Sequence, residues 1–461
     1  MEQQVVFDIE LLKKYDISGP RYTSYPTAPQ FSTEFTEQDY RSCIAESEAA
    51  SPSRPLSLYV HLPFCDTICY YCACNKIVTK DRARAVPYLE HLHKEIAMQA
   101  TLFDSNRVVE QLHWGGGTPT FISHAQMTDL MQCIRKHFSL ADDAIGEYSI
   151  EIDPREANAE TIAVLREIGF NRLSLGVQDL DEQVQKAVNR VQSEQETFAV
   201  IDAARAEGFR SISLDLMYGL PHQTVEGFTR TLDRVLQAEP DRLSLFNYAH
   251  MPTLFKPQRR INEDELPDAQ TKLDILQASI EHLGNAGYVY IGMDHFARPD
   301  DELAVAQREG KLHRNFQGYS THADCDLVAL GVTAIGQIGN SYSQNQRETE
   351  PYYEAIDAGK LPLLRGMRLS EDDRIRRRVI QTLICHFVLD FASIDAELGI
   401  DCRVYFAKEL ERLAPMQADG LLDVSETGIQ VLPAGQLLIR NICMVFDAYL
   451  QDSAQKFSKV I

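Results

Sequence analysis

Cys65, Cys69 and Cys72 stand in a Cys-x3-Cys-x2-Cys arrangement, with a fourth cysteine at Cys74. Three thiolates at that spacing can hold three irons of a 4Fe-4S cubane and leave the fourth iron without a protein ligand. An open iron can chelate a small molecule. In radical chemistry that molecule is S-adenosylmethionine, bound by its amino and carboxylate end. One electron from the reduced cluster then breaks the sulfonium bond and gives a 5′-deoxyadenosyl radical. Two other readings compete. Cys72 and Cys74 could complete four sulfurs around zinc, but structural zinc usually pairs two knuckles separated in sequence. A redox pair at Cys69-x2-Cys72 would open a helix and have no use for Cys65.

Trp114-Gly115-Gly116-Gly117-Thr118-Pro119-Thr120 follows one βα unit after the cysteines. A glycine run alone is more often a tight turn. In this place it also lets the backbone approach a ligand, such as a methionine amino group, with no Cβ in the way.

The elements that must position these groups can be read from periodicity. Seven apolar strand-like runs are visible: LSLYVHL, VEQLHW, YSIEID, RLSLGV, SISLDLMY, RLSLFNY and YVYIGMD. Between them lie helix-period segments at roughly 86–104, 123–139, 158–169, 180–207, 224–238 and 267–286. The alternation predicts an α/β chain whose parallel strands curl into a partial or full (β/α) TIM-like barrel. Reactive groups in such folds sit at strand ends, where Glu151, Gln178, Asp215 and Ala249 fall. The expected division is an N-terminal arm over 1–38, a barrel over 39–367 and a mainly helical, winged-helix-like unit over 368–461. That last unit carries a strand pair near Leu422–Val431.

The 45 Lys and Arg residues against 67 Asp and Glu give a formal charge of −22, which argues against a general role on nucleic acid or anionic lipid. Any anionic substrate must therefore meet a local basic patch. Neither an 18-residue apolar run nor a signal peptide is present, so a soluble cytoplasmic protein is expected. Four of the ten cysteines crowd into residues 65–74, which points to metal binding in a reducing compartment rather than to disulfides. No heptad or long edge-strand pattern asks for a partner copy, and a monomer is expected.

Over nearly its whole length the chain resembles the oxygen-independent coproporphyrinogen III oxidases (coproporphyrinogen dehydrogenases), a family of radical S-adenosylmethionine enzymes. The resemblance is carried by GPRYTSYPTA (Gly19–Ala28), LYVHLPFC, the four-cysteine pattern through Lys76, HWGGGTPT, IEIDPRE, LGVQD, DLMYGLP, FNYAHMP, GMDHFARPDDELAVAQREG and HRNFQGY. It implies loss of carbon dioxide from two propionates of coproporphyrinogen III, leaving vinyl groups and giving protoporphyrinogen IX. It also implies a 4Fe-4S cluster on Cys65, Cys69 and Cys72 and two molecules of S-adenosylmethionine. The first would lie against Tyr59, Gly116, Glu151 and Ile335; the second against Tyr71, Gly117, Thr118, Gln178, Arg190, Asp215 and Ala249. Such types suit the task, since Glu151 and Asp215 can accept from ribose hydroxyls or an ammonium and Arg190 can clamp a carboxylate. The resemblance further attaches a role in activity to Tyr59, His61, Cys74, Phe316 and Gln317.

Four propionates require cations, and Arg21, Lys76, Arg298 and Arg314 are candidates from charge alone. Tyr22 and Tyr25 in the arm would either fold over a porphyrinogen or act as a packing strap. An electron donor of flavodoxin or ferredoxin type and an electron acceptor are needed, and neither leaves a motif. Haem carriers on the same scaffold are the alternative class. They typically lack both the arm motif and the fourth cysteine, which this chain has. A radical methyltransferase would be expected to carry a substrate-specific extension.

Overall fold

The computed structural model describes residues 5–322 and 325–450. Its centre is a run of parallel strands: β1 (Leu56–Leu62), β2 (Val108–Gly116), β3 (Glu147–Ile152), β4 (Arg172–Gln178), β5 (Ser211–Tyr218), β6 (Arg242–Asn247) and β7 (Asp326–Leu330). Their order in the sheet is β6-β5-β4-β3-β2-β1-β7, every neighbouring pair parallel. Antiparallel strands extend both ends, Val289–Gly292 and His295–Ala297 beside β6, and Ile335–Ile338, Ser341–Asn345 and Leu363–Arg368 beside β7. The two outermost strands do not pair with each other among the described residues, so the barrel is the partial form.

The strand alternation sorts each strand into two faces. Leu58, Val60, Leu112, Ile150, Leu173, Leu175, Ile212 and Leu214 are fully or almost fully buried against the helices in one continuous core. The other face carries Ser57, Tyr59, His113, Ser149, Glu151, Ser174, Asp215 and Ser244. These touch one another across the inside of the sheet, as in Ser57–Gln111 at 3.0 Å, His113–Ser149 at 2.5 Å and Ser174–Asp215 at 3.1 Å. A closed barrel normally fills its interior with layers of bulky branched side chains. Serines in their place leave a polar lumen with room for a ligand.

The helices match the periodic segments, with boundaries set by local chemistry. Ser123 and Gln126 form a capping box at the start of His124–His137, and Gly169 in the left-handed conformation ends Ala159–Ile168. Two expectations need correction. The single helix over 180–207 is two helices, Glu182–Ala187 and Glu194–Ala206, broken at Asn189, whose φ is 54°. A side-chain bond from Asn189 to the Ile68 carbonyl, 2.7 Å, holds the break. The run YVYIGMD is not a parallel strand. Val289–Gly292 turns back against His295–Ala297, and the seventh parallel strand is instead the short, wholly buried DLVAL of β7.

After Leu363–Arg368 the chain becomes helical. The pair Leu422–Val424 and Gly428–Val431 is present and gains a third strand, Val388–Asp390. The arm is a strap: Tyr22 and Tyr25 are buried with Val379, Leu383, Cys443 and Phe446 of the C-terminal helices. Tyr22 Oη donates to Asp447 at 2.9 Å, and Arg440 donates to the carbonyls of Gly19 and Pro20. No helix among the described residues is long and apolar enough to cross a membrane.

Candidate cluster and cofactor site

The cysteine loop leaves the C-terminal end of β1. Phe64–Cys65 pairs with Ile77–Val78, which closes the loop at its base, and Lys76 Nζ donates to the carbonyls of Cys72 and Cys74 at 3.1 and 3.3 Å. Lys76 is therefore a brace for the loop and not a free cation for a propionate. No disulfide joins any of the ten cysteines.

Each sulfur of the triad has a distinct setting. Thr118 Oγ1 approaches Cys65 Sγ at 3.7 Å, while Cys69 Sγ receives N–H groups from Arg155 at 3.6 Å and Arg190 at 3.5 Å. Both arginines also bind Asp153, Arg155 through two bonds of 3.0 and 2.7 Å and Arg190 at 2.9 Å. Two cations around one carboxylate leave a net positive charge beside Cys69. A hydrogen bond from Cys74, helped by Lys76, outweighs burial and brings Cys72 down to about 5; burial pushes Cys65 up to about 12. Three sulfurs on one short loop, each approached by a donor, fit a cluster whose irons would supply the charge that deprotonates the rest.

The glycine loop is fitted to the same corner by close contact. Gly117 N donates to the Leu62 carbonyl at 2.8 Å, and a Cβ on Gly117 would stand 2.6 Å from the Phe64 carbonyl oxygen, which is rigid backbone. Gly116, at φ 116°, lies against the His61 ring, where a Cβ would come within 2.6 Å. Its N–H donates to Glu151 Oε2 at 3.1 Å. Behind it a polar chain runs along the lumen wall. His61 Nε2 faces the Asn75 carbonyl at 3.1 Å, so it must carry the hydrogen; Nδ1 then accepts from Tyr59 Oη at 3.1 Å. Burial lowers the His61 pKa and keeps the ring neutral. Tyr59 stacks on His113, ring centres 5.8 Å apart, and His113 reaches Glu151 at 3.3 Å. Burial would raise the Glu151 pKa, but His113 and the Gly116 N–H outweigh it and the carboxyl stays below its usual range. Its side chain remains 44 % accessible because it opens into the lumen.

β4 bulges between Gly176 and Gln178, and Gln178 adopts φ 66°, which turns its side chain out of register. Gln178 Oε1 is buried with no hydrogen-bond partner. Arg190 comes back from the broken helix to donate to the Gly176 carbonyl at 2.6 Å. Asp215 is pushed up to about 6, chiefly by burial and with the like charge of Glu151 adding to it. Ala249 lies two residues beyond β6, and Gln258 Nε2 ties its carbonyl (3.2 Å) to that of Tyr71 (3.0 Å). Thus Tyr59, His61, Cys65, Cys69, Tyr71, Cys72, Cys74, Gly116, Gly117, Thr118, Glu151, Gln178, Arg190, Asp215 and Ala249 surround one end of the lumen.

Ile335, Phe316 and Gln317 form a different wall. Ile335 and Phe316 pack with Phe31 and Tyr342, and no hydrogen bond or ring contact joins them to the cysteine loop among the described residues. Gln317 Nε2 and Asn247 Oδ1 are buried without partners. Of the candidate arginines, Arg21 binds Asp294 at 2.8 Å. Arg298 is a correction: it is exposed, pairs with Asp300 and donates its backbone N–H to Asp241, at the opposite end of the sheet. Arg314 is 4 % exposed, lies over the Tyr319 ring at 4.7 Å, and leaves Nε and Nη1 without acceptors. Next to it His295 is pushed down to about 3 by burial and by the charges of Arg314, Arg21 and Arg242. Sequence reasoning missed Asp153, Arg155, His113 and His295. All four lie inside quoted motifs, Asp153 and Arg155 in IEIDPRE, His113 in HWGGGTPT and His295 in GMDHFARPDDELAVAQREG, and their ionisable side chains were the available signal.

Comparisons agree with this geometry. A model described as the Radical SAM superfamily matches residues 59–235, and one described as the HemN C-terminal domain matches residues 369–438. A protein of Pseudomonas aeruginosa named oxygen-independent coproporphyrinogen III oxidase is 55 % identical, each chain covered in full. One of the same name from Escherichia coli K12 is 54 % identical over all of this chain and 99 % of its own. The solved structure of coproporphyrinogen III oxidase (HemN) from Escherichia coli, described as a radical SAM enzyme, superposes with a TM-score of 0.93. It is 53 % identical and covers 97 % of this chain and 100 % of that one.

Proposed function

Because the chain belongs to the oxygen-independent coproporphyrinogen III oxidase family of radical SAM enzymes, we propose that its lumen is where two propionates of coproporphyrinogen III become vinyl groups. The observation that carries this reading is the single polar lumen with the cysteine triad at one end and buried, unpartnered polar atoms along its walls. When bound, the cluster supplies the electron that cleaves S-adenosylmethionine and so the species that takes a β-hydrogen from the propionate. The substrate then loses carbon dioxide and one electron to the acceptor, which balances the step.

The residues of the chain have these tasks. Cys65, Cys69 and Cys72 hold iron. Glu151, Gly116, Tyr59 and Ile335 receive one S-adenosylmethionine, and Gln178, Arg190, Asp215, Tyr71, Gly117, Thr118 and Ala249 receive the second. His61, fixed as the Nε2–H tautomer, orients Tyr59. Cys74 stands beside Cys72, within the electrostatic reach of Glu151 and Tyr59. Phe316 and Gln317 belong to the substrate wall. The working enzyme is a cytoplasmic monomer, organised as arm 1–38, barrel 39–367 and C-terminal unit 368–461, of which 451–461 lie outside the described residues. It takes electrons from a flavodoxin- or ferredoxin-like donor.

Anaerobic turnover of the reconstituted protein with coproporphyrinogen III, S-adenosylmethionine and a reductant tests the reading. Vinyl product should form together with 5′-deoxyadenosine; cleavage of the cofactor without decarboxylation would reject this substrate. Arg314 is assigned to a substrate carboxylate, because a buried guanidinium with unused donors costs several kcal/mol unless an anion joins it. Arg314→Gln is expected to raise KM for the porphyrinogen about tenfold or more, the worth of a charged hydrogen bond of ~1.5–3 kcal/mol. An unchanged KM would remove Arg314 from the site.

Asp215 gives a pH signature. Its folded pKa of about 6 lies above the ordinary 3.8, so its favourable contribution to stability is complete below 3.8 and is lost as pH rises to about 6. Asp215→Asn should therefore stabilise the cluster-free protein relative to wild type more at pH 7.5 than at pH 4, read as the difference in Tm at each pH. Equal differences would show that the carboxyl titrates normally.

A further inference from the structure

At the end of the sheet opposite the cysteine loop, three side chains of metal-binding type converge. Glu110 lies near the start of β2, and His322 and Cys325 stand on the segment that leads into β7. One ligand atom from each, an oxygen, a nitrogen and a sulfur, lies within 4.8 Å of the other two. His322 Nδ1 is 3.3 Å from Glu110 Oε2. Two ligands bound tetrahedrally to one ion at ~2.0 Å are separated by about that distance.

A second observation concerns the far side of the histidine. His322 Nε2 faces Glu147 Oε1 at 3.5 Å, and that oxygen also accepts from Thr321 Oγ1 at 2.8 Å while Arg172 stands 3.4 Å away. A metal-bound imidazole usually gives its other N–H to a carboxylate, which fixes the ring and its tautomer. Glu147 is placed for that part and is itself held. The three groups also line a cavity of about 1000 Å³ that includes His313 and Arg378, so an ion has a path in and a water can fill a remaining position.

We propose that Glu110, His322 and Cys325 form a zinc site, separate from the cluster, with Glu147 as the outer partner of His322 and water as fourth ligand. One thiolate, one carboxylate and one neutral imidazole balance the charge of Zn2+ and match its borderline softness. A single thiolate cannot hold an iron–sulfur cluster. The ion ties the start of β2 to the entry of β7, two strands that flank β1.

The test uses the full-length holoenzyme with its cluster reconstituted first, so that the cysteine triad is filled before zinc is offered. After dialysis against zinc chloride and then metal-free buffer, zinc and iron are counted by mass spectrometry, and the zinc edge is examined by X-ray absorption. The expected result is about one zinc per chain with one sulfur at ~2.3 Å and the other ligands nitrogen or oxygen. Zinc should fall below about a tenth per chain in the His322→Gln, Cys325→Ser double variant, with iron and turnover unchanged. Glu147→Gln, which leaves all three ligands in place, should weaken zinc binding about 10- to 100-fold. Substoichiometric zinc in the wild type, zinc retained by the double variant, or a shell of three or four sulfurs would each overturn the proposal.

Discussion

Cys69→Ser is expected to leave a folded protein with almost no cluster iron, and to bring both vinyl product and 5′-deoxyadenosine to background. Serine is nearly the size of cysteine, so the buried position, 8 % exposed, can accept it without a cavity. What it cannot supply is a soft anionic ligand. The sulfur is the one to which two guanidiniums, Arg155 and Arg190, direct N–H groups while Asp153 holds both in place. That arrangement gathers charged N–H donors around a single sulfur. Product formation by the serine variant, with iron content also restored, would show that the triad is not the cluster site. Far-UV circular dichroism separates this from simple unfolding.

The second large effect is expected at Arg190. A surface ion pair would contribute only ~0–1 kcal/mol. Arg190 is instead 6 % exposed and donates to Asp153, to Cys69 Sγ and to the Gly176 carbonyl. Replacing it with methionine keeps the bulk and removes the charge, leaving Asp153 with Arg155 alone. Breaking a buried pair in this way costs ~3–5 kcal/mol, and the remaining arginine puts the expected loss near the lower figure, about 3 kcal/mol. Denaturant unfolding of the cluster-free protein measures it. Cofactor cleavage should fall as well, because Gln178 and Gly176 share the bulge that Arg190 supports. A loss under 1 kcal/mol with full activity would return Arg190 to the status of a surface residue.

How far the sequence was legible differs between elements for physical reasons. The helix Ala159–Ile168 carries its own signals, an Asn158 cap and Gly169 at its end, and was readable to within a residue. The break at Asn189 was not, because the helical period continues through it. What stops the helix is a bond to Ile68, more than a hundred residues away in the chain. β7 was hidden for a similar reason: DLVAL is buried on both faces and has no alternation, and only its pairing with β1 defines it. The run YVYIGMD has strand composition, but composition does not encode direction, and its pairing with His295–Ala297 made it antiparallel.

The same division runs through the site. The sequence by itself determined the cysteine spacing, the glycine loop and the βα order that brings them to one end of a sheet, since spacing and periodicity are local properties. Only the tertiary structure decided which charges do what. Lys76 braces a loop, Arg298 lies at the wrong end, Tyr22 and Tyr25 serve the C-terminal helices, and Arg314 is buried with unused donors. Charge is visible in a sequence, but whether it is spent on a neighbour depends on distances of a few ångströms between residues far apart in the chain. Folding alone sets those distances.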